Sequence, residues 1–121
     1  MLEIYTVQLA QWRKVKALGI ELVDITAKSG NHLFAPDYSH VIQYKNNELT
    51  ENQYTVLYRD KMRWSYTHHR DEWNKLSGGS KIALACYCKA GEFCHRHLFK
   101  DMLIKHCVKN NIEYQDLGEI T

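Results

Sequence analysis

The chain has 121 residues, of which 45% are hydrophobic and 25% charged, and its formal net charge is +2. This length fits one domain that buries about two-thirds of the surface of its unfolded chain, enough for a core without disulfides or metals. Because this net charge is small, electrostatics alone gives no reason to predict nucleic-acid binding.

The N-terminal residues, MLEIYTVQLAQWRKVK, lack the basic leader and apolar run of a signal peptide. The sequence also contains no run close to the roughly 18 apolar residues that span a bilayer. We therefore predict a cytoplasmic protein with no membrane partner. Because thiols stay reduced in the cytoplasm, we interpret the four cysteines as free thiols or ligands.

The first quarter of the sequence predicts a strand, a helix and a second strand. EIYTV (3–7) is rich in β-branched and aromatic residues, which favour a strand. IELVDIT (20–26) is mostly apolar, as expected for a strand covered on both faces. The intervening segment ends at Gly19 and carries apolar residues at helical spacing, namely Leu9, Trp12, Val15 and Leu18. This order predicts a βαβ unit whose two strands pair in parallel.

The middle of the sequence predicts a loop followed by helices. AKSGNHLFAP (27–36) contains glycine and proline and leaves the second strand. DYSHVIQYK predicts a short helix, and Thr50 and Gln53 form a capping box for a longer one. HHRDEWNKL predicts a further helix, which ends at SGGS.

The last third predicts a strand, a helix and a final strand. KIALACYC (81–88) is almost without polar residues, which suits a central parallel strand buried on both faces. After a turn around Gly91, a helix begins at Cys94, and IEYQDLGEI supplies the last strand. The elements together predict a single domain over residues 1–121, a three-layer α/β sandwich with a short, mostly parallel sheet.

The stretch ACYCKAGEFCHRH (85–97) is the main candidate site. Cys86 and Cys88 lie at the carboxyl end of the buried strand, while Cys94, His95 and Arg96 form the first turn of the next helix. Ligands of open α/β sheets bind where strand ends meet helix starts. A helix N-terminus attracts anions, and an arginine adds a planar donor fork for phosphate or carboxylate. A thiol held there would have a lowered pKa.

The loop after the second strand is expected at the same edge of the sheet. It carries Asp24 at the strand end, followed by Lys28, Ser29 and Gly30. These residues offer a cation, a hydroxyl and free backbone amides. We therefore predict that both loops line one pocket for an anionic ligand.

Two other interpretations of the cysteine stretch stay open. Four soft ligands, the side chains of Cys86, Cys88, Cys94 and His95, are enough for tetrahedral zinc. Alternatively the cysteines are structural, which is most plausible for Cys86 and for Cys107 because free cysteine is often buried. A further alternative is a reversible disulfide between Cys88 and Cys94 across the turn.

A second cluster, WSYTHHRDEW (64–73), combines aromatic and basic residues. Such a combination is found in proteins that bind single-stranded nucleic acid. An amphipathic helix with its aromatic residues in the core explains the same pattern, and we favour that interpretation over a nucleic-acid site.

The strand ending in LACYC, the short glycine turn and FCHRH resemble the domain-of-unknown-function 488 family, whose members are small prokaryotic and phage proteins. VDITAKSG and FAPDY are similar to the family's second-strand region, although Ile25 and Thr26 stand after Asp24 where an arginine is typical. The form CYCKAGEFCHR resembles a phage-rich subgroup, which would place the protein in the host cytoplasm. The resemblance implies an α/β fold and a site at Cys88, Cys94, His95 and Arg96.

From these observations we hypothesise an enzyme, a hydrolase or transferase, that needs no cofactor and acts on a small anionic, nucleotide-like molecule. Arg96 would hold the anion and His95 would act as general acid or base, because its ordinary pKa lies near neutrality. Cys88 or Cys94 would be the nucleophile. The alternative is a zinc-stabilised interaction module without catalysis.

Overall fold

The computed structural model describes residues 1–89 and 91–121. They contain four strands and five α-helices, three of which follow one another between the second and third strands, and a 3-10 turn at Leu9–Gln11 precedes the first helix. The strands are β1 (Leu2–Gln8), β2 (Glu21–Asp24), β3 (Lys81–Cys86) and β4 (Tyr114–Ile120). The helices are α1 (Trp12–Ala17), α2 (Tyr38–Lys45), α3 (Glu51–His68), α4 (Arg70–Ser77) and α5 (His95–Lys109).

The strands form one parallel sheet in the order β2-β3-β1-β4. The nearly all-apolar β3 is central, as predicted, because burial on both faces favours such a strand. The prediction that the first two strands pair with each other is wrong, since β3 lies between them. β2 is an edge strand whose residues are exposed or partly buried, so the expectation that it is covered on both faces is also wrong.

Helices cover both faces of the sheet, which confirms the three-layer α/β sandwich. Val15 of α1 packs on one face against Val7, Ala83 and Ala85. The other face carries the larger core, built around Ile82 and Leu84 of β3 and side chains of α3, α4 and α5. The helix α1 has only six residues and is the one helix of the described residues that packs on this face of the sheet. Trp12 and Leu18, which the sequence predicts on its apolar side, are therefore exposed.

The long helix α3 begins as the sequence predicts. Thr50 Oγ1 accepts a hydrogen bond from Gln53 N–H at 3.1 Å, and Thr50 N–H donates to Gln53 Oε1 at 2.9 Å. Its inward face buries Tyr54, Tyr58 and Met62 against the sheet. Among the helices of the described residues, none combines the length and apolar character that crossing a membrane requires.

A cavity lined by tyrosines, lysines and sulfur atoms

A cavity of about 580 Å³ lies where the loops after β2 and β3 meet α2 and the start of α5. This is the edge of the sheet at which the sequence predicts a pocket. Four of the predicted site residues line the cavity, namely Lys28, Cys88, Cys94 and His95. Cys86, one of the alternative zinc ligands, lines it as well.

One wall of the cavity is aromatic. Tyr44, Tyr54 and Phe93 pack against one another with ring centroids 5.3 to 5.8 Å apart. Burial raises the pKa of Tyr54 well above its ordinary value, and burial followed by the charge of Glu51 raises the pKa of Tyr44. Both hydroxyl groups therefore stay neutral near pH 7, and the wall presents rings and O–H donors rather than negative charge.

The charged side chains on the cavity lining are mostly cationic. Lys28 and Lys45 contribute ammonium groups, and Glu92 contributes a carboxylate. Lys28 Nζ lies 5.3 Å from the ring centroid of Tyr38, within the range of a cation–π contact. Sequence reasoning found Lys28 but missed Lys45, whose only local signal is its place at the C-terminus of α2.

The other predicted residues of the first loop build the loop rather than line the cavity. Ser29 Oγ donates to Asp24 Oδ2 at 2.8 Å, and Thr26 N–H donates to Asp24 Oδ1 at 2.9 Å. Thr26 Oγ1 lies 2.9 Å from Ser29 Oγ. The side chains of Asp24 and Ser29, which were expected to face a ligand, are therefore hydrogen-bonded within the loop. Their bonds fix the conformation of the backbone around Lys28.

Gly30 closes the same loop and leaves no room for a side chain. A Cβ atom at this position would lie 2.4 Å from Thr26 N and 2.6 Å from Asp24 O. Gly30 N–H donates to Thr26 O at 2.9 Å, so its amide is not free for an anion. Gly30 therefore allows the loop to close tightly, rather than offering a free amide to a ligand as predicted.

Arg96 is fully buried, and every N–H of its guanidinium group has a protein acceptor. Nε and Nη2 donate to the carboxylate of Glu119 at 3.2 and 3.0 Å. The remaining donors go to Cys86 Sγ at 2.8 Å, Cys88 O at 2.9 Å and Lys89 O at 3.2 Å. A guanidinium group has five N–H donors, so none is left for a ligand. The prediction that Arg96 contacts an anionic ligand therefore conflicts with the structure. Arg96 instead fixes the turn after β3.

The three cysteines of the stretch lie together. The Sγ atoms of Cys86, Cys88 and Cys94 are all within 4.8 Å of one another. Those of Cys86 and Cys94 are at disulfide bonding distance, while Cys88 and Cys107 are free. Cys94 thus lies next to Cys86 rather than pairing with Cys88, which differs from the suggested Cys88–Cys94 pairing. As ligands, the three cysteines of the stretch are together, as the zinc interpretation requires. The strand β3 ends at Cys86, two residues earlier than expected, so Cys86 rather than Cys88 meets Cys94 at the helix start.

His95 is buried beside the cavity in a neutral form. Its Nε2 donates to Ile25 O at 2.6 Å, which leaves Nδ1 unprotonated and facing Cys94 Sγ at 3.8 Å. Burial, the largest cause, lowers the pKa of His95 to about 4. The prediction of a general acid or base with a pKa near neutrality is wrong in this respect, because desolvation disfavours the imidazolium form. His95 orients the start of α5 through its bond to Ile25 O, and its Nδ1 would accept a hydrogen bond from Cys94 only when that cysteine is a reduced thiol.

The segment that holds the cavity also matches a family model. Residues 24–107 match DUF488-N3a, which is described as the active DUF488-N3 subclade. The chain belongs to the DUF488 family. The match runs from Asp24 to Cys107 and so includes both cavity loops, which confirms the resemblance found in the sequence. The phage-type subgroup stays a prediction. Neither the curated proteins nor the solved structures include a match to this DUF488 chain.

The predicted zinc ligands of this DUF488 chain are only partly brought together. The group that could hold a metal ion consists of Cys86, Cys88 and Cys94. His95 is not part of this group among the described residues: its Nε2 is bonded to Ile25 O, and its Nδ1 lies 3.8 Å from Cys94 Sγ. Three sulfur ligands with an open fourth position would suit a zinc ion once the cysteines are reduced.

The second sequence cluster divides between the core and the surface. Trp73 is buried, with its indole N–H donating to Ser65 Oγ at 3.1 Å, which agrees with the amphipathic-helix interpretation. Trp64 is 50% exposed and packs beside His68 and His69. Cys107 is buried in the core, as predicted.

Proposed function

We propose that this DUF488 chain binds a small anion bearing an aromatic ring, such as a nucleotide, in the cavity between the two loops. The observation that carries the proposal is the composition of the lining, which combines an aromatic wall with two lysines. Ligand cavities typically have this size and are largely apolar, with a few charged or polar groups that orient the ligand.

The two parts of the lining suit the two parts of such a ligand. A flat ring is accommodated against Tyr44, Tyr54 and Phe93, where stacking adds to apolar burial. A phosphate or carboxylate is attracted to the ammonium groups of Lys28 and Lys45. Arg96 acts indirectly in this proposal, as the residue that positions the turn carrying Cys88.

The chemistry we propose is attack by a thiol on the bound molecule, as in a hydrolase or transferase. Cys88 is the free thiol on the lining, and it is partly exposed. Burial raises its pKa, while the charges of Arg96 and Lys45 act in the opposite direction. The predicted lowering of the thiol pKa is therefore wrong for Cys88, whose thiol is mostly protonated near pH 7. In the proposed attack the thiol proton passes to solvent, the S–ligand bond forms, and the leaving group departs with the electron pair of the bond that breaks.

Nucleoside monophosphates are expected to stabilise the reduced protein against heat, whereas adenosine or inorganic phosphate alone should have a smaller effect. A ligand at about 100 times its Kd adds about 2.7 kcal/mol to the free energy of unfolding. The double variant Lys28→Ala/Lys45→Ala should lose most of this stabilisation because the anion then has no cationic partner. Differential scanning fluorimetry measures both effects.

The matched control is Arg13→Ala/Lys16→Ala, which removes two exposed cations from α1 on the opposite face of the sheet. It should keep the wild-type response. Alkylation of Cys88 by iodoacetamide, followed by mass spectrometry, places the ligand, since a bound nucleotide should slow the reaction. The proposal is rejected if no nucleotide raises the Tm of the wild type, or if the Lys28/Lys45 variant responds equally.

A second candidate function is a zinc-stabilised interaction module, favoured by the closeness of the three sulfur atoms. Protein purified under reducing conditions would then carry one tightly held zinc ion per chain. Cys88→Ser should release it, because two thiolates remain, whereas Cys107→Ala should retain it, because Cys107 lies apart in the core. Elemental analysis before and after chelation measures the metal, and metal-free, chelator-insensitive protein removes this candidate.

A further inference from the structure

The three cysteines on the cavity lining differ in how well solvent reaches them. Cys86 and Cys94 are only 1% and 3% exposed, and their Sγ atoms are at disulfide bonding distance. Cys88 is a free, partly exposed thiol, and its Sγ lies within 4.8 Å of the other two. A small thiol in solution therefore meets Cys88 before it reaches the bond between Cys86 and Cys94.

The sulfur of Cys86 lies where negative charge is stabilised. Arg96 Nη1 donates a hydrogen bond to Cys86 Sγ at 2.8 Å, in addition to the pairing of the guanidinium group with Glu119. An N–H donor that belongs to a cation stabilises a thiolate. Because cleavage of a disulfide leaves one of its sulfurs as a thiolate, this contact favours Cys86 as the leaving group.

The sulfur of Cys94 has the opposite surroundings. It faces His95 Nδ1 at 3.8 Å, and Nε2 of the same ring donates to Ile25 O, so Nδ1 presents a lone pair. A lone pair at this position disfavours negative charge on the sulfur. Of the two bonded sulfurs, Cys94 is therefore the poorer leaving group and the one that a nucleophile attacks.

We propose that Cys86, Cys88 and Cys94 form a thiol–disulfide exchange centre, through which a small thiol in solution reduces the buried bond. Cys88 loses its proton to solvent and its sulfur attacks Cys94 Sγ. The Cys88–Cys94 bond forms, the Cys86–Cys94 bond breaks, and its electron pair leaves with Cys86. A small thiolate then attacks Cys88 Sγ and Cys94 leaves as a thiolate.

A second small thiolate completes the reaction by attacking the sulfur of the first, which releases Cys88. Two small thiols are thus oxidised to one disulfide, while Cys86 and Cys94 are reduced and take up the two protons that the small thiols lose. Cys88 returns to its starting form and acts as a relay. Exchange requires no other ligand in the cavity, so this activity does not rest on the proposed function.

Reduction of the folded protein by dithiothreitol tests the proposal. Protein purified without reductant, and treated with EDTA to remove metal, should carry the Cys86–Cys94 bond, which joins the tryptic peptides 82–89 and 90–96. Samples taken after addition of dithiothreitol are quenched in acid, alkylated with N-ethylmaleimide in denaturant and analysed by mass spectrometry. Cys88→Ser should be reduced at least about tenfold more slowly than the wild type, because small thiols have poor access to a buried bond.

The order of the steps is tested by a second variant. Cys86→Ser leaves only the two sulfurs that the exchange joins, so this variant should form a Cys88–Cys94 bond when it is purified without reductant. The same peptide mapping detects that bond. Its absence would show that Cys88 Sγ does not reach Cys94 Sγ and would overturn the proposal.

The matched control is Cys107→Ala, which removes the other free thiol, in the core, and should be reduced at the wild-type rate. Circular dichroism verifies folding, and Cys88→Ala replaces Cys88→Ser if the latter is unfolded. The proposal is overturned if the wild type lacks the Cys86–Cys94 bond or resists dithiothreitol, or if the Cys88 variant is reduced as fast. These measurements use no nucleotide, so their outcome is separate from that of the proposed function.

Discussion

Arg96→Ala is expected to lower the free energy of unfolding by about 3–5 kcal/mol, the cost of breaking a buried ion pair by removing one partner. Arg96 is fully buried and bonded to the Glu119 carboxylate, which is itself only 18% exposed. The substitution leaves that charge without its cation, leaves the Cys88 carbonyl without its donor and removes one of the two donors to Lys89 O, the other being Glu92 N–H. Denaturant unfolding monitored by circular dichroism measures the loss.

Two further variants separate the role of Arg96 from that of an ordinary surface cation. Arg96→Lys should still be strongly destabilised, because a single ammonium group cannot reproduce the planar set of five donors. Arg13→Ala, at an exposed position of α1, should change stability by less than about 0.5 kcal/mol. A loss below about 1 kcal/mol in Arg96→Ala would show that the network is not formed in solution.

The stability of the protein is expected to fall on acidification because of His95. Its pKa is lowered to about 4 in the folded chain, against an ordinary value of 6.5, so the unfolded state binds a proton first as the pH falls. The contribution of neutral His95 is complete above about pH 6.5 and is lost as the pH falls toward the folded-state pKa. A difference of this size corresponds to about 3 kcal/mol. Unfolding free energies at a series of pH values measure it.

His95→Gln isolates this contribution, because glutamine keeps an N–H donor near Ile25 O but does not titrate. Burial also lowers the pKa values of His97 and His106, so the variant should retain a weaker pH dependence of the same sign. The free energy of unfolding of the wild type should fall more steeply than that of His95→Gln as the pH is lowered from about 7 to 4. Parallel curves would mean that the imidazole of His95 is solvated in solution.

Much of the fold could be predicted from periodicity and composition. The apolar run of β3, the capping box at Thr50 and Gln53, and the helix that begins near Cys94 are all where the sequence places them. The order of the strands could not be predicted in the same way. The position of a strand in the sheet depends on whether both of its faces are buried. Of β2 and β3, only β3 is apolar at nearly every position, and it lies between β2 and β1.

The cavity lies at the edge of the sheet where the sequence predicts a pocket, but the contacts of several predicted residues differ from those expected. Sequence position alone places Cys88, Cys94 and Lys28 near one another, because loops after parallel strands meet at one edge. It does not reveal that Glu119, 23 residues from Arg96, uses the guanidinium group that was assigned to a ligand. Long-range partners of this kind carry no local sequence signal.

The loop closed by Gly30 affects the energetics of ligand capture. Its hydrogen bonds form on folding, so the entropy of ordering the backbone that carries Lys28 is already lost before any anion arrives. Only the rotamers of the lysine side chain remain to be restricted. The cavity is in this respect preorganised, and an encounter with a ligand should require little rearrangement of the main chain.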